Sequence, residues 1–315
     1  MDSNIERYSH PLFNPLDLVI ETKEISRLRS KIIQWIWTGA TGGVVLGEAR
    51  SGKSTAIETI HPALMDKGEK NIPSHLFSVA TRDKPSITSI YRNMCASANL
   101  RLKTHEVSDE VAVKFLNYLM DAALEHQSKK MVLFVDEMQK LTRLQLDAFA
   151  ELYNRMRKHK ILLTVIFVGN IQESSELLDY IARPGKSYLR DRFFINKYDF
   201  YGIKNEESVK FCLSQYDHLR FPEKTGPTYT QFFLPREYKD GWRLASISPA
   251  LWRYFRTYQK TFKISSWGMQ YFIATVNVLV TDYLPQYGIE GDIPEMINES
   301  IKVSGLVPAL VQVIE

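Results

Sequence analysis

The sequence has only two cysteines, Cys95 and Cys212, with no CxxC spacing and no histidine cluster beside either. This speaks against a disulfide framework or a zinc site, and for buried thiols in a reducing compartment. Its longest apolar runs are a handful of residues, far below the ~18 needed to cross a bilayer. The opening residues, MDSNIERYSHPLF, show no basic-then-apolar leader. The expectation is therefore a cytoplasmic protein with no membrane partner. With 15 glycines and 13 prolines and no internal repeat, the chain is neither collagen-like nor low-complexity. Its 315 residues, 44% hydrophobic and 24% charged, describe an ordinary globular chain of one large or two modest domains, and exclude disorder.

A strong charge imbalance is also missing: 40 basic against 36 acidic residues give a formal +4. The distribution is less even. From Ile264 onward there is one basic residue, Lys302, against six acidic ones, so that stretch is −5 and residues 1–263 carry +9. Such asymmetry points to a polyanion surface on the larger part.

Residues 1–20, with Pro11 and Pro15, read as an extended arm. Thr22 then caps a helix whose apolar positions Ile25, Leu28, Ile32 and Ile36 recur at helical spacing. After it, short apolar strands alternate with helices. Gly43–Gly47 is a strand, followed by a glycine-rich loop and a helix from Lys53 to about Met65. Strands follow at His75–Ala80, Met131–Val135 and Ile161–Val168, with a fifth beginning at Phe193–Ile195. Helices fall near 86–98, 108–126 and 143–158, the last with Leu144 on its apolar side. Fully apolar strands separated by helices indicate a parallel sheet covered on both faces. Beyond about 203 the pattern becomes helical: Asn205 caps a helix to about Tyr216, and further helices fall near 248–260, 265–283 and 292–302. The expected organisation is an arm (1–20), an α/β core (21–203) and a helical region (204–315).

Two motifs carry chemistry. Gly47-Glu48-Ala49-Arg50-Ser51-Gly52-Lys53-Ser54 fits GxxxxGK[ST], between an apolar strand and a helix and followed by Thr55. Glycines let such a loop wrap around phosphates with its N–H groups inward; Lys53 then reaches the β/γ-phosphates and the Ser54 hydroxyl meets Mg²⁺. The second motif is Val132–Val135 ending in Asp136-Glu137. Both arise at strand carboxyl ends, where ligands of parallel sheets bind. Asp136 is the expected second Mg²⁺ residue and Glu137 the group that polarises the attacking water. Asn170, ending the fourth strand, is placed to orient that water or to cap the next turn. Arg192, then Arg190, then Arg183, precede the last strand and are candidates for reaching a neighbouring subunit's nucleotide.

On these residues the chain resembles the AAA+ ATPases over about Thr22–Phe200. The resemblance implies a five-stranded sheet in the order 5-1-4-3-2 sandwiched by helices, a helical lid, and ATP with Mg²⁺. The helix running into GGVVLGEARSGKST, and the VDEMQKL stretch, resemble the transposon regulators of the TnsC/TniB type; Gln139 stands where many of those carry histidine. That further resemblance implies an oligomeric ring or filament on double-stranded DNA. It would link a TniQ-type target selector to transposase subunits of the TnsA/TnsB kind, with ATP hydrolysis controlling assembly and disassembly. Another DNA-loading AAA+ protein, of origin-recognition or secretion type, and a nucleotide-gated scaffold with vestigial hydrolysis are the alternatives.

Candidate DNA contacts in the α/β part are Arg82, Lys84, Lys103 and Thr104. Leu219–Lys263 adds nine basic residues, three acidic ones and eleven aromatics, which either stack on bases or pack a helical core. Arg253, within it, is a further candidate for sensing nucleotide.

Overall fold

Runs such as Val44-Val45-Leu46 and Met131–Val135 hold no polar residue, so as strands they must be covered on both faces. In the computed structural model, which describes residues 8–14, 18–66, 68, 70–81 and 85–311, they form the centre of one sheet. Its strands are β1 (Gly42–Gly47), β2 (Ser74–Ser78), β3 (Lys130–Asp136), β4 (Leu162–Asn170) and β5 (Lys197–Asp199). All pairings are parallel and the order is β2-β3-β4-β1-β5, as the resemblance implied.

The helices of this part are α1 (Lys23–Trp37), α2 (Lys53–Ile60), α3 (Ile87–Ser97), α4 (Ser108–Glu125), α5 (Leu146–Lys158), α6 (Ser175–Ala182) and α7 (Ser187–Phe193). Three expectations are corrected. Helix α2 stops at Ile60 rather than Met65, because Pro62 cannot donate a backbone hydrogen bond; a short 3-10 turn, His61–Ala63, follows. Phe193 ends a helix instead of opening the fifth strand: with Leu189 four residues earlier it buries one helical face, and β5 begins only at Lys197. Leu144 precedes α5 and is 64% exposed, so it is no part of the core.

Contacts divide the chain into two compact units, residues 27–49 with 53–200, and residues 1–26, 50–52 and 201–315. The first buries Phe77, Phe115, Phe134, Phe149 and Phe167 around the sheet. The second contains α8 (Glu206–Tyr216), α9 (Tyr229–Phe233), α10 (Pro235–Lys239), α11 (Ser248–Phe262) and α12 (Met269–Val278). A π-helical turn, Leu279–Tyr283, leads into α13 (Leu284–Tyr287), followed by α14 (Ile293–Val303) and α15 (Leu306–Val311). Asn205 caps α8 as its sequence position suggests, accepting from the Ser208 amide at 2.8 Å. Leu12, Leu18 and Ile20 are buried in this unit's apolar cluster, so the described part of the N-terminal segment is packed rather than free. Both thiols are buried, and desolvation raises Cys95 to about 11 and Cys212 to about 12, which keeps them protonated.

His10 lies among Phe221, Tyr229, Phe232 and Phe233, with ring centroids 4.6–4.9 Å away. Its Nδ1 accepts from the Leu12 amide and its Nε2 has no partner. Burial lowers its pKa to about 4; burial, then the charge of His61, does the same for His75. A histidine lowered on folding takes up its proton in the unfolded chain first. Its contribution is therefore complete above pH 6.5 and is lost as pH falls towards 4. The melting temperature is expected to drop several degrees between pH 7.5 and 5, with a smaller drop for His10→Phe. Equal pH slopes in a thermal melt would exclude a His10 contribution.

Candidate active site

The register Gly47↔Asn170 brings the start of the phosphate loop and the end of β4 side by side at the sheet's carboxyl edge, joined by the Ile171 amide donating to the Gly47 carbonyl. Ser78↔Asp136 brings β3 to the same edge. Position 47 requires glycine because a Cβ there would stand 2.3 Å from the Phe200 carbonyl oxygen. Gly52 takes φ +97°, open to glycine at no steric cost, which turns the loop into α2.

Lys53 is 9% exposed, and its Nζ donates to the carbonyls of Gly47 and Glu48 at 2.9 and 2.6 Å. Desolvation lowers its pKa, opposed by the charges of Asp136, Glu137, Glu173 and Glu48. A buried ammonium held at the loop by backbone carbonyls is suited to a polyphosphate. Within the same loop Ser51 is buried while Ala49, Arg50, Ser54 and Thr55 are exposed. In the helical unit, with which Arg50–Gly52 group, the Arg50 guanidinium stacks 5.2 Å over the Tyr271 ring and donates to its hydroxyl at 2.7 Å.

Asp136 accepts the Glu137 amide on Oδ1 at 2.8 Å, leaving Oδ2 without a hydrogen bond. With the unbonded, exposed Ser54 hydroxyl this is a hard-oxygen donor set that fits Mg²⁺. Glu137 sits in the left-handed region (φ +58°), which re-aims its side chain just past the strand. Gln139 Nε2 at 3.1 Å and Lys140 Nζ at 2.9 Å both reach its Oε2, leaving Oε1 open.

Gln139 is the residue whose role spacing did not disclose. Its Oε1 accepts from the Asn170 amide at 3.2 Å while its Nε2 holds Glu137, so one side chain ties the acidic strand end to the end of β4. Asn170 is 9% exposed, and its Oδ1 accepts from the Gln172 and Glu173 amides. Capping therefore occupies the carbonyl, and its NH₂ remains as the donor toward a ligand.

Around α7, Arg190 is exposed and pairs with Asp191 at 2.9 Å; Arg192 is half-buried, 4.7 Å over the Tyr153 ring; Arg183 is exposed. Lys103 and Thr104 lie exposed in the loop before α4, whereas Arg82 and Lys84 lie outside the described residues. Arg253 is exposed on α11.

Sheet order, phosphate loop, acidic strand end and following helices together define a P-loop fold of the AAA+ type. Residues 37–178 match the family model described as an AAA domain. Among solved structures, the chain is similar to a Walker-type ATPase of Pyrococcus abyssi, with TM-score 0.50 and 15% identity over 94% of this chain and 75% of that one. It is also similar to the ORC2 protein of Aeropyrum pernix in its ADP form (0.47, 12%, 90% and 69%), and to the ORC1 protein of that organism in complex with DNA (0.44, 10%, 95% and 87%). At such identities these are likenesses of fold. No match was found among curated proteins. Among the described residues no helix is long and apolar enough to cross a membrane.

Proposed function

We propose that this chain is an ATP-hydrolysing, DNA-bound oligomeric switch that regulates DNA transposition, linking a target selector to the transposase. The observation that carries the ATPase reading is the convergence of Lys53, Asp136, Glu137 and Asn170 at one sheet edge, with Gln139 holding the last two parts together. The loop amides and Lys53 hold the phosphates. Ser54 and Asp136 would hold Mg²⁺, which supplies charge neutralisation on the β- and γ-oxygens. Glu137, through Oε1, polarises the water that attacks the γ-phosphorus as the bond to ADP breaks. The Asn170 amide donates to the γ-phosphate. Arg192, or the more exposed Arg190, reaches the nucleotide of an adjoining subunit, so the complete site exists only in an oligomer.

The transposition part of the reading is supported by the stretches GGVVLGEARSGKST and VDEMQKL, and the DNA part by the +9 charge of residues 1–263. Electron micrographs of the protein with duplex DNA are expected to show rings or filaments with ATP and none with ADP, and those assemblies are expected to retain a purified transposase. Monomers under every condition would overturn the oligomeric switch; assemblies that ignore transposase and target selector would overturn the transposition role alone.

A further inference from the structure

Between Gly241 and Thr281 the chain has no acidic residue, yet it carries Arg243, Arg253, Arg256, Lys260 and Lys263. Helix α11 occupies the middle of this stretch and divides sharply into two faces. Inward, Leu251 and Phe255 are wholly buried; Phe255 stacks on Trp267 with centroids 4.4 Å apart and planes 3° off parallel, and Tyr258 donates to Asn298 at 2.6 Å. Nine of the segment's eleven aromatics, all but Tyr238 and Phe262, pack in or against the helical unit's core, which favours the packing reading of Leu219–Lys263.

Outward, from Arg253 to Lys263, the exposed residues are only cations and small hydroxyls. Arg253, Arg256 and Lys260, at positions i, i+3 and i+7, line a shallow depression of about 450 Å³ with Thr257 and Thr261. All five are exposed, and among the described residues none of the three cations has a salt bridge. At 1.5 Å per residue the three span about 10 Å, and Lys263, the left-handed cap, extends the line to about 15 Å. Three unpaired cations on one face of a firmly anchored helix leave their charges to an external polyanion. A protein partner would want an exposed apolar anchor among them, and from Arg253 to Lys263 no apolar residue is exposed. A line of phosphates needs only charge and short hydroxyl donors, which are what the face provides.

We infer that the outward face of α11 binds the phosphodiester backbone of duplex DNA, independently of sequence. This rests on the DNA-bound reading above and adds to it a surface in the helical unit. The full chain and its Arg256→Ala/Lys260→Ala variant are compared for binding to a labelled mixed-sequence duplex, with a non-hydrolysable ATP analogue, from about 50 to 200 mM salt. The variant is expected to bind at least tenfold more weakly at the low-salt end. Its plot of log affinity against log salt should be shallower by about 1.8, two phosphate contacts at about 0.9 each. DNA-free ATP turnover should be unchanged, and Arg256→Lys/Lys260→Arg should restore the slope. Equal affinity and slope in variant and parent would overturn the inference while leaving the DNA-bound reading intact. A parent that does not bind duplex at all would remove both. Loss of DNA-free self-assembly with DNA affinity unchanged would reassign the face to a protein partner.

Discussion

Glu137→Gln is expected to lower ATP turnover by about a hundredfold or more with ATP affinity unchanged, and to trap the assembled protein on DNA. Glutamine keeps the shape and an acceptor for Gln139 and Lys140 but cannot take the proton from the attacking water. Removing a general base of this kind typically costs 10²–10⁴-fold, roughly 3–5 kcal/mol of barrier. The open Oε1 and the left-handed backbone that aims it are the observations behind the assignment. Turnover at saturating ATP, nucleotide affinity by titration and DNA-bound assemblies by electron microscopy check the three parts separately. Turnover within a few-fold of the parent would remove Glu137 from the chemistry. A variant that stays monomeric with ATP and DNA would sink the assembly model instead.

Lys53→Ala is expected to weaken ATP binding by about one to two orders of magnitude, the scale of losing hydrogen bonds from a charged donor to an anion. In the described structure its ammonium is bonded to two loop carbonyls and favoured by the charges of four carboxylates. Deleting it leaves those carboxylates facing the phosphates with nothing to balance them. Affinity measured by titration, alongside a thermal melt to verify folding, tests this; unchanged affinity in a folded variant would overturn the phosphate-loop assignment. Because burial lowers the lysine's pKa, nucleotide affinity should also weaken as pH rises into the range where Lys53 gives up its proton, a trend the alanine variant would lack.

Much of the α/β part was legible in the sequence, for a specific reason. Strands covered on both faces must be apolar throughout, so Gly43–Gly47 and Met131–Val135 declare themselves without context. A loop that wraps phosphate needs glycine at fixed offsets, and so is equally visible. The misplaced elements lie where local pattern is ambiguous. Phe193–Ile195 is apolar enough for a strand, and only the packing of Phe193 beneath the sheet, with Leu189 one turn away, makes it the end of a helix. Leu144 fits a helical stripe by spacing, but the helix starts two residues later and the side chain faces water. His10 falls in what the sequence reads as an extended arm; its burial depends on four aromatic rings more than two hundred residues away.

The candidate site divides in the same way. Residue type and spacing alone pointed to the phosphate loop, the acidic pair and the polar residue ending β4 as the candidates, because the proposed chemistry requires those groups next to a strand end. Tertiary structure decided how they cooperate. The parallel register of β1 with β4 sets Gly47 beside Asn170. The Gln139 bridge fixes Glu137 against that strand end, and helical capping takes the Asn170 carbonyl and leaves its amide. Likewise the basic, aromatic segment could be counted from the sequence, but only packing separates it into a buried aromatic face and an exposed cationic one. Composition states which groups a chain owns. Which of them end up unpaired and facing a ligand depends on long-range contacts that no local pattern encodes.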